Sequence, residues 1–131
     1  MVINGRKSIR RKVMKEILNL AQKLGNAIAE SEEIKTYREM EKIYYEDEAA
    51  RNAMQEYEDK RAKMTVKAKE TGMTPESLKM FQKEMKDAMD KLIQNKTVKE
   101  YLDAKSSFND ILTKVNSIIS YCVQGEEQDM A

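Results

Sequence analysis

Thr71-Gly72-Met73-Thr74-Pro75-Glu76 is the stretch on which the fold turns. A glycine suited to a helix C-terminus comes first. A threonine that can cap, a proline suited to the first helical position and a first-turn glutamate follow. The order spells a helix stop and then a helix start, so the chain is expected to fold back at Thr71–Pro75 with one helical arm on each side. On the N-terminal side, Ala50, Met54, Tyr57, Met64 and Ala68 share roughly one helical face, interrupted by Arg61, and Asp47 with Glu48 reads as a cap and first turn. Further upstream Ser31 resembles another cap, with Glu32 and Glu33 in the first turn and a stripe at Ile34, Tyr37, Met40 and Tyr44. Before it, Val13, Ile17, Leu20, Leu24 and Ile28 recur at spacings of four and three. On the C-terminal side Leu78, Phe81, Met85, Met89 and Leu92 form one stripe. Asn95 caps or kinks the chain before Val98, Tyr101, Phe108, Leu112, Val115, Ile119 and Cys122, and the last helix is expected to end near Gly125.

Composition agrees with this reading. The 131 residues include four Gly and one Pro, too little turn chemistry for a β-rich fold. Charged residues make up 36%, yet 24 basic and 23 acidic side chains leave a net charge of +1, so disorder driven by net charge is not expected. The absence of histidine excludes a Ser–His–Asp or Cys–His site, a His-ligated zinc and a histidine pH switch. One cysteine supplies neither an intrachain disulfide nor a CxxC pair. No apolar run approaches the ~20 residues of a membrane span, and no apolar block follows the basic start as in a signal peptide. The expectation is a reduced, cytoplasmic protein without membrane insertion.

A short internal repeat supports two similar arms. Ser31-Glu32-Glu33-Ile34-Lys35-Thr36-Tyr37 matches Asn95-Lys96-Thr97-Val98-Lys99-Glu100-Tyr101, and Ile28 matches Leu92 upstream. The stripes are narrow, nearer two apolar positions in seven than the wider face of a helix in a globular core. Ordering a chain costs roughly 1.5 kcal/mol per residue, which a thin seam at ~25 cal/mol per Å² struggles to offset. Self-association is therefore expected as part of folding. The predicted fold is all-α: an antiparallel long-helix hairpin or bundle with coiled-coil-like packing, oligomeric as a homodimer or homotetramer. Residues 1–12 are expected to be a mobile basic arm, 13–125 a single helical domain, and 126–131 a disordered acidic tail. The folding and oligomer seam comprises Leu20, Leu24, Ile28, Tyr37, Leu78, Phe81, Leu92, Tyr101, Phe108, Leu112, Val115 and Ile119.

The chemistry-bearing residues mostly have ordinary roles. Arg6, Lys7, Arg10, Arg11 and Lys12 could contact RNA phosphates or an acidic partner. A solubilising, frayed terminus is the plainer reading, and the cluster contains no aromatic to stack bases. Cys122 continues the last stripe and reads as a buried small hydrophobe rather than a shared metal or cluster ligand. The groups Glu30, Glu32, Glu33 and Glu46, Asp47, Glu48 read as caps and solvated faces, lacking the spacing of a calcium loop. Met80, Met85 and Met89 read as core filling rather than an adaptable groove. Tyr44 and Tyr45 are adjacent and cannot share a seam, so one of them is an interface candidate. Three acid-before-base pairs, Asp47–Arg51, Glu56–Lys60 and Asp59–Lys63, are expected to support an exposed helix.

The stretch Leu20–Tyr37, with its leucine/alanine helix running into Ser31-Glu32-Glu33 and an aromatic, resembles the opening of the YlbF/YmcA/YheA family of small bacterial helical proteins. Asp47-Glu48-Ala49-Ala50 resembles that family's second break, and Asn95–Leu102 with Ile111–Ile119 its C-terminal helix. The similarity spans about residues 13 to 123. It implies an all-helical, self-associating protein with regulatory rather than catalytic work, in a family linked to competence, sporulation and biofilm formation. Some members act in a complex affecting RNA processing by a membrane-attached ribonuclease, and carry tail cysteines associated with iron–sulfur clusters. With Cys122 alone, inside a predicted helix, this chain resembles the shorter branch, and no cofactor is expected. The expected function is a non-enzymatic regulatory adaptor acting through protein–protein interaction. Its expected partners are itself and another cytoplasmic protein, such as a component of a ribonuclease-regulating complex. The alternative is an RNA-binding accessory protein using the basic N-terminal arm.

Overall fold

The computed structural model describes residues 2–125, with side chains from residue 5 onward. The described residues are all helical apart from short breaks. Five helices follow in order: α1 (Val2–Ala29), α2 (Glu32–Glu46), α3 (Glu48–Thr71), α4 (Pro75–Leu92) and α5 (Lys96–Gln124). The expected tail, 126–131, lies outside the described residues. The basic run Arg6–Lys12 lies within α1.

Three of the breaks use one local device, and the residues flanking it explain why. At each, the cap residue's own N–H closes back on the carbonyl three residues earlier: Ser31 on Ile28 at 3.0 Å, Asp47 on Tyr44 at 3.2 Å and Asn95 on Leu92 at 3.1 Å. The cap side chain then accepts from the N–H three residues later: Ser31 Oγ from Ile34 at 3.3 Å, Asp47 Oδ1 from Ala50 at 3.1 Å and Asn95 Oδ1 from Val98 at 3.0 Å. Its carbonyl accepts from the residue after that, Lys35, Arg51 and Lys99 respectively. One short polar side chain thus ends one helix and starts the next without glycine, since it supplies an acceptor that the first-turn N–H groups would otherwise lack. The residue three past the cap is buried each time: Ile34, Ala50 and Val98. The expected repeat is therefore a repeated cap, and Asp47 is a third instance of it.

The break at 72–74 is built differently. Gly72 takes φ +78°, in the region that disfavours a side chain. Thr74 Oγ1 accepts from the Ser77 N–H at 3.1 Å, and Pro75 opens α4. Ser77 is only half-buried, so this turn reverses the chain without burying a residue beneath its cap.

The chain divides into two compact units, Met1–Lys35 and Thr36–Ala131. The first consists chiefly of α1. In the second, α3 packs along α4 and touches α5. Its core is Tyr44, Ala50, Leu92, Val98 and Tyr101, with Tyr37, Met40, Ala53, Met54, Tyr57, Met89 and Leu102 packed around it. Tyr44 and Ala50 flank the Asp47 break; Leu92, Val98 and Tyr101 flank the Asn95 break. The core therefore sits where the two breaks meet, and Thr97 at the second break helps hold the Asp47 carboxyl of the first below its usual range. Ala50 and Val98 are both fully buried, which lets the backbones there approach closely.

Candidate interaction surface

An aromatic row grows out of this core and sets the register of α2 against α5. Tyr44 meets Tyr101 edge-on, with ring centroids 4.5 Å apart at 74°. Tyr37 meets Tyr101 at 6.0 Å and 71°, and stacks on Phe108 at 5.3 Å and 29°. Pairs of this geometry contribute about 0.5–1.5 kcal/mol beyond their buried area. Because Tyr37 lies opposite Phe108 and Tyr44 opposite Tyr101, α2 and α5 run antiparallel here. The hydroxyl of Tyr37 is held protonated well above the usual phenol range, first by its hydrogen bond to Glu41, then by burial and by Tyr101. Burial, followed by the neighbouring Tyr101 and Tyr45, also pushes Tyr44 up. Tyr45 itself is 61% exposed. Of the adjacent tyrosines, the one in the core is thus Tyr44 and the one offered outward is Tyr45.

The predicted seam divides by position. Leu92 and Tyr101 are buried, while Ile28, Tyr37, Phe81, Phe108 and Val115 are half-buried. Leu20, Leu24, Leu78, Leu112 and Ile119 are exposed in the single chain. The core also uses Ile34, Tyr44, Ala50, Met64, Val98, Ala88 and Ala104. The three alanines carry no periodic signal of their own, because alanine occurs on every helix face.

Two other expectations need correction. Cys122 is exposed rather than buried; the buried residues of α5 are Val98, Tyr101 and Ala104, all near its start. Met80 is 62% exposed, while Met85 and Met89 are half-buried, so the core reading holds for part of that set. Among the described residues the ion pairs are Arg61–Glu58 at 3.9 Å and Lys96–Glu100 at 3.8 Å. The three expected pairs are not among them, and Asp59 instead accepts from the Gln55 amide at 2.9 Å. All these groups are solvated, where an ion pair gains little over water.

The main exposed apolar material forms two stripes. On α1 it is Ile9, Val13, Met14, Ile17, Leu18, Leu20 and Leu24. On the end of α5 it is Leu112, Ile118, Ile119, Tyr121 and Val123. At 100° per residue the α1 set covers about half of the helix surface, with Arg11, Lys12, Lys15, Asn19 and Lys23 on the other half. Arg6, Lys7, Arg10, Arg11 and Lys12 are all exposed, and the first acid in the chain is Glu16. Between α3 and α4 a recess of about 190 Å³ is lined largely by Met64, Ala68, Met80 and Phe81, with Lys67 and Glu84. Its lining suits an apolar contact, and the Thr71 and Ser77 hydroxyls at its edge donate to the Lys67 and Gly72 carbonyls. The acids at the breaks have structural work: Asp47 caps α3, and its carboxyl is held below the usual carboxylate range by the Ala50 N–H and then the Thr97 hydroxyl.

No curated protein and no solved structure matches the chain closely enough to stand as a relative. A family model does match, described as control of competence regulator ComK, YlbF/YmcA, over residues 17–124. The match takes in the second half of α1, all three capped breaks, the turn at 72–74 and α5 to its last residue. The chain belongs to the YlbF/YmcA family of competence-control proteins.

Proposed function

We propose that this chain is a non-enzymatic regulatory adaptor of the bacterial cytoplasm that self-associates through coiled-coil-like packing and works by presenting helix surfaces to another protein. The observation that carries the reading is the imbalance of apolar residues: 18 large hydrophobics are exposed among the described residues, against nine buried hydrophobics, three of them alanine. Scattered exposed leucines are ordinary, but contiguous stripes along a helix mark interaction surfaces. The exposed seam residues Leu20, Leu24, Leu112 and Ile119 are the contacts a further copy covers, and the half-buried Ile28 and Val115 complete them. Membership of a family described by control of a competence regulator supports a regulatory role over a catalytic one. A component of a ribonuclease-regulating complex fits as the external partner.

The test is affinity capture from the native bacterium with the wild-type chain and with Ile17→Asp. Recovery of the same regulatory or ribonuclease-complex proteins by the first and not the second is the expected result. Recovery of the bait alone in both cases contradicts the adaptor reading. A second reading, RNA contact through Arg6, Lys7, Arg10, Arg11 and Lys12, draws support from their common exposure on α1. It requires affinity that falls steeply with salt and disappears when residues 1–12 are removed.

A further inference from the structure

The first half of α1 sets cations and apolar side chains on the same rows of one helix. From residue 6 to residue 18 every side chain is exposed. Six of them are cations, Arg6, Lys7, Arg10, Arg11, Lys12 and Lys15, and one is an acid, Glu16, a net of +5. The apolar groups are Val13, Met14, Ile17 and Leu18, with Ile9 before them. Each of the four has a cation seven residues earlier: Arg6 before Val13, Lys7 before Met14, Arg10 before Ile17 and Arg11 before Leu18. Seven residues fall ~20° short of two full turns. The rows that are apolar over 13–18 are therefore basic over 6–11. A shallow depression lined by Arg10, Arg11, Met14, Lys15, Leu18 and Asn19 brings both kinds to one surface.

This arrangement selects among partners. A dry protein contact laid along these rows buries the cations with the apolar groups, at a large cost unless each cation finds its own anion. RNA meets the cations, leaves the apolar rows in water and finds no aromatic among them to stack its bases. An anionic bilayer surface satisfies both kinds at once. Its acyl boundary takes the apolar side chains, and the long arginine and lysine stems reach up to phosphates that lie on every side. The contact is with the surface, since among the described residues no helix is long and apolar enough to cross a membrane.

We propose that the first half of α1 binds anionic lipid surfaces, lying in the headgroup layer with Val13, Met14, Ile17 and Leu18 dipped below the phosphates and Arg6, Lys7, Arg10 and Arg11 held among them. Leu20 and Leu24, further along α1, are not needed for this contact and stay available to a second copy. The lipid contact thus goes beyond the self-association proposed above and does not depend on it.

The test is flotation of the full chain with vesicles of phosphatidylcholine and phosphatidylglycerol in equal parts, against vesicles of phosphatidylcholine alone. Flotation is expected with the anionic vesicles only, and is expected to be lost as salt rises from ~0.1 M to ~1 M, over which the screening length falls from ~10 Å to ~3 Å. Arg11→Gln is expected to weaken partition about fivefold. Met14→Ser combined with Leu18→Ser is expected to weaken it more than tenfold. The chain has no tryptophan, so Val13→Trp and Ser8→Trp each supply a single fluorophore, at exposed positions ~140° apart around the helix. Anionic vesicles are expected to shift the emission of Val13→Trp to the blue and leave Ser8→Trp nearly unchanged. Circular dichroism checks that each variant keeps its helicity, and wild-type flotation decides the matter where one does not. No flotation with anionic vesicles at ~0.1 M salt overturns the proposal. Flotation that the serine pair leaves unchanged, or equal shifts from both tryptophans, shows charge attraction without a seated helix and overturns it too. Binding of polyuridine RNA or of polyglutamate with no flotation assigns the cations to RNA or to an acidic protein instead.

Discussion

Val98→Ala tests the claim that the fold is pinned where the two capped breaks meet. Val98 is fully buried, three residues past the Asn95 cap, among Tyr44, Ala50, Leu92 and Tyr101. Removing its two methyl groups forfeits about 1.6 kcal/mol of transfer energy at ~0.8 per group. The space left behind adds roughly 1 kcal/mol, as cavities in rigid surroundings do. Collapse is restricted here, because Ala50 has no rotamer to move and Tyr101 is held by edge contacts with Tyr37 and Tyr44. The expected loss is therefore about 2.5 kcal/mol, a large share of a typical domain stability of ~5–15 kcal/mol. Urea unfolding followed by circular dichroism at one fixed protein concentration measures it. Val123→Ala, at a residue 80% exposed, serves as the control. A loss for Val98→Ala below ~0.5 kcal/mol, the level of ordinary surface changes, would refute the reasoning.

Asn95→Ala removes the acceptor for the Val98 N–H and is expected to cost about 1 kcal/mol in the same assay, with Asn95→Asp close to neutral. Equal losses for both would remove the capping account. The Asp47 carboxyl is depressed in the fold, so the stability it contributes is full above the unfolded value of 3.8 and is lost as pH falls through the lower folded value. Asp47→Asn should flatten that part of the acid-stability curve; an unchanged curve contradicts it. Tyr37 and Tyr44 are raised, so their contribution is full below the unfolded value of 10.0 and is lost as pH rises through the folded values. Tyrosinate absorbance at pH 10 should accordingly be lower for native than for urea-unfolded protein, and equal absorbance counts against the aromatic row. Ile119→Asp, on the exposed end of α5, should abolish association and leave the α2–α5 core helical; intact association would exclude this stripe from the interface.

Much of the backbone was legible because it is written in short polar residues. Ser31, Asp47, Thr74-Pro75 and Asn95 all act as the capping chemistry predicts, and Gly72 and Gly125 close their helices at positive φ. The stripe periodicity also located the apolar faces, but not which part of a face would be covered. Leu92 and Leu112 have the same pattern in sequence, yet one is buried beneath the breaks and the other lies on the exposed end of α5. That difference depends on where other helices stop, which no local window contains. For the same reason the periodicity predicts a buried Cys122, which the structure leaves exposed. Ala50, Ala88 and Ala104 show the converse: close approach of helices rewards the smallest side chain, and small size gives no hydrophobic signal. The sequence pattern marks the seam only as a set of periodic apolar positions; which of them the fold covers and which it leaves exposed came only from the structure.

Sedimentation equilibrium across a range of concentrations tests the central claim most directly. The account predicts a species of at least twice 15.2 kDa whose population falls on dilution, with melting that depends on concentration. A single 15.2 kDa species that melts cooperatively at the same temperature at every concentration would contradict it.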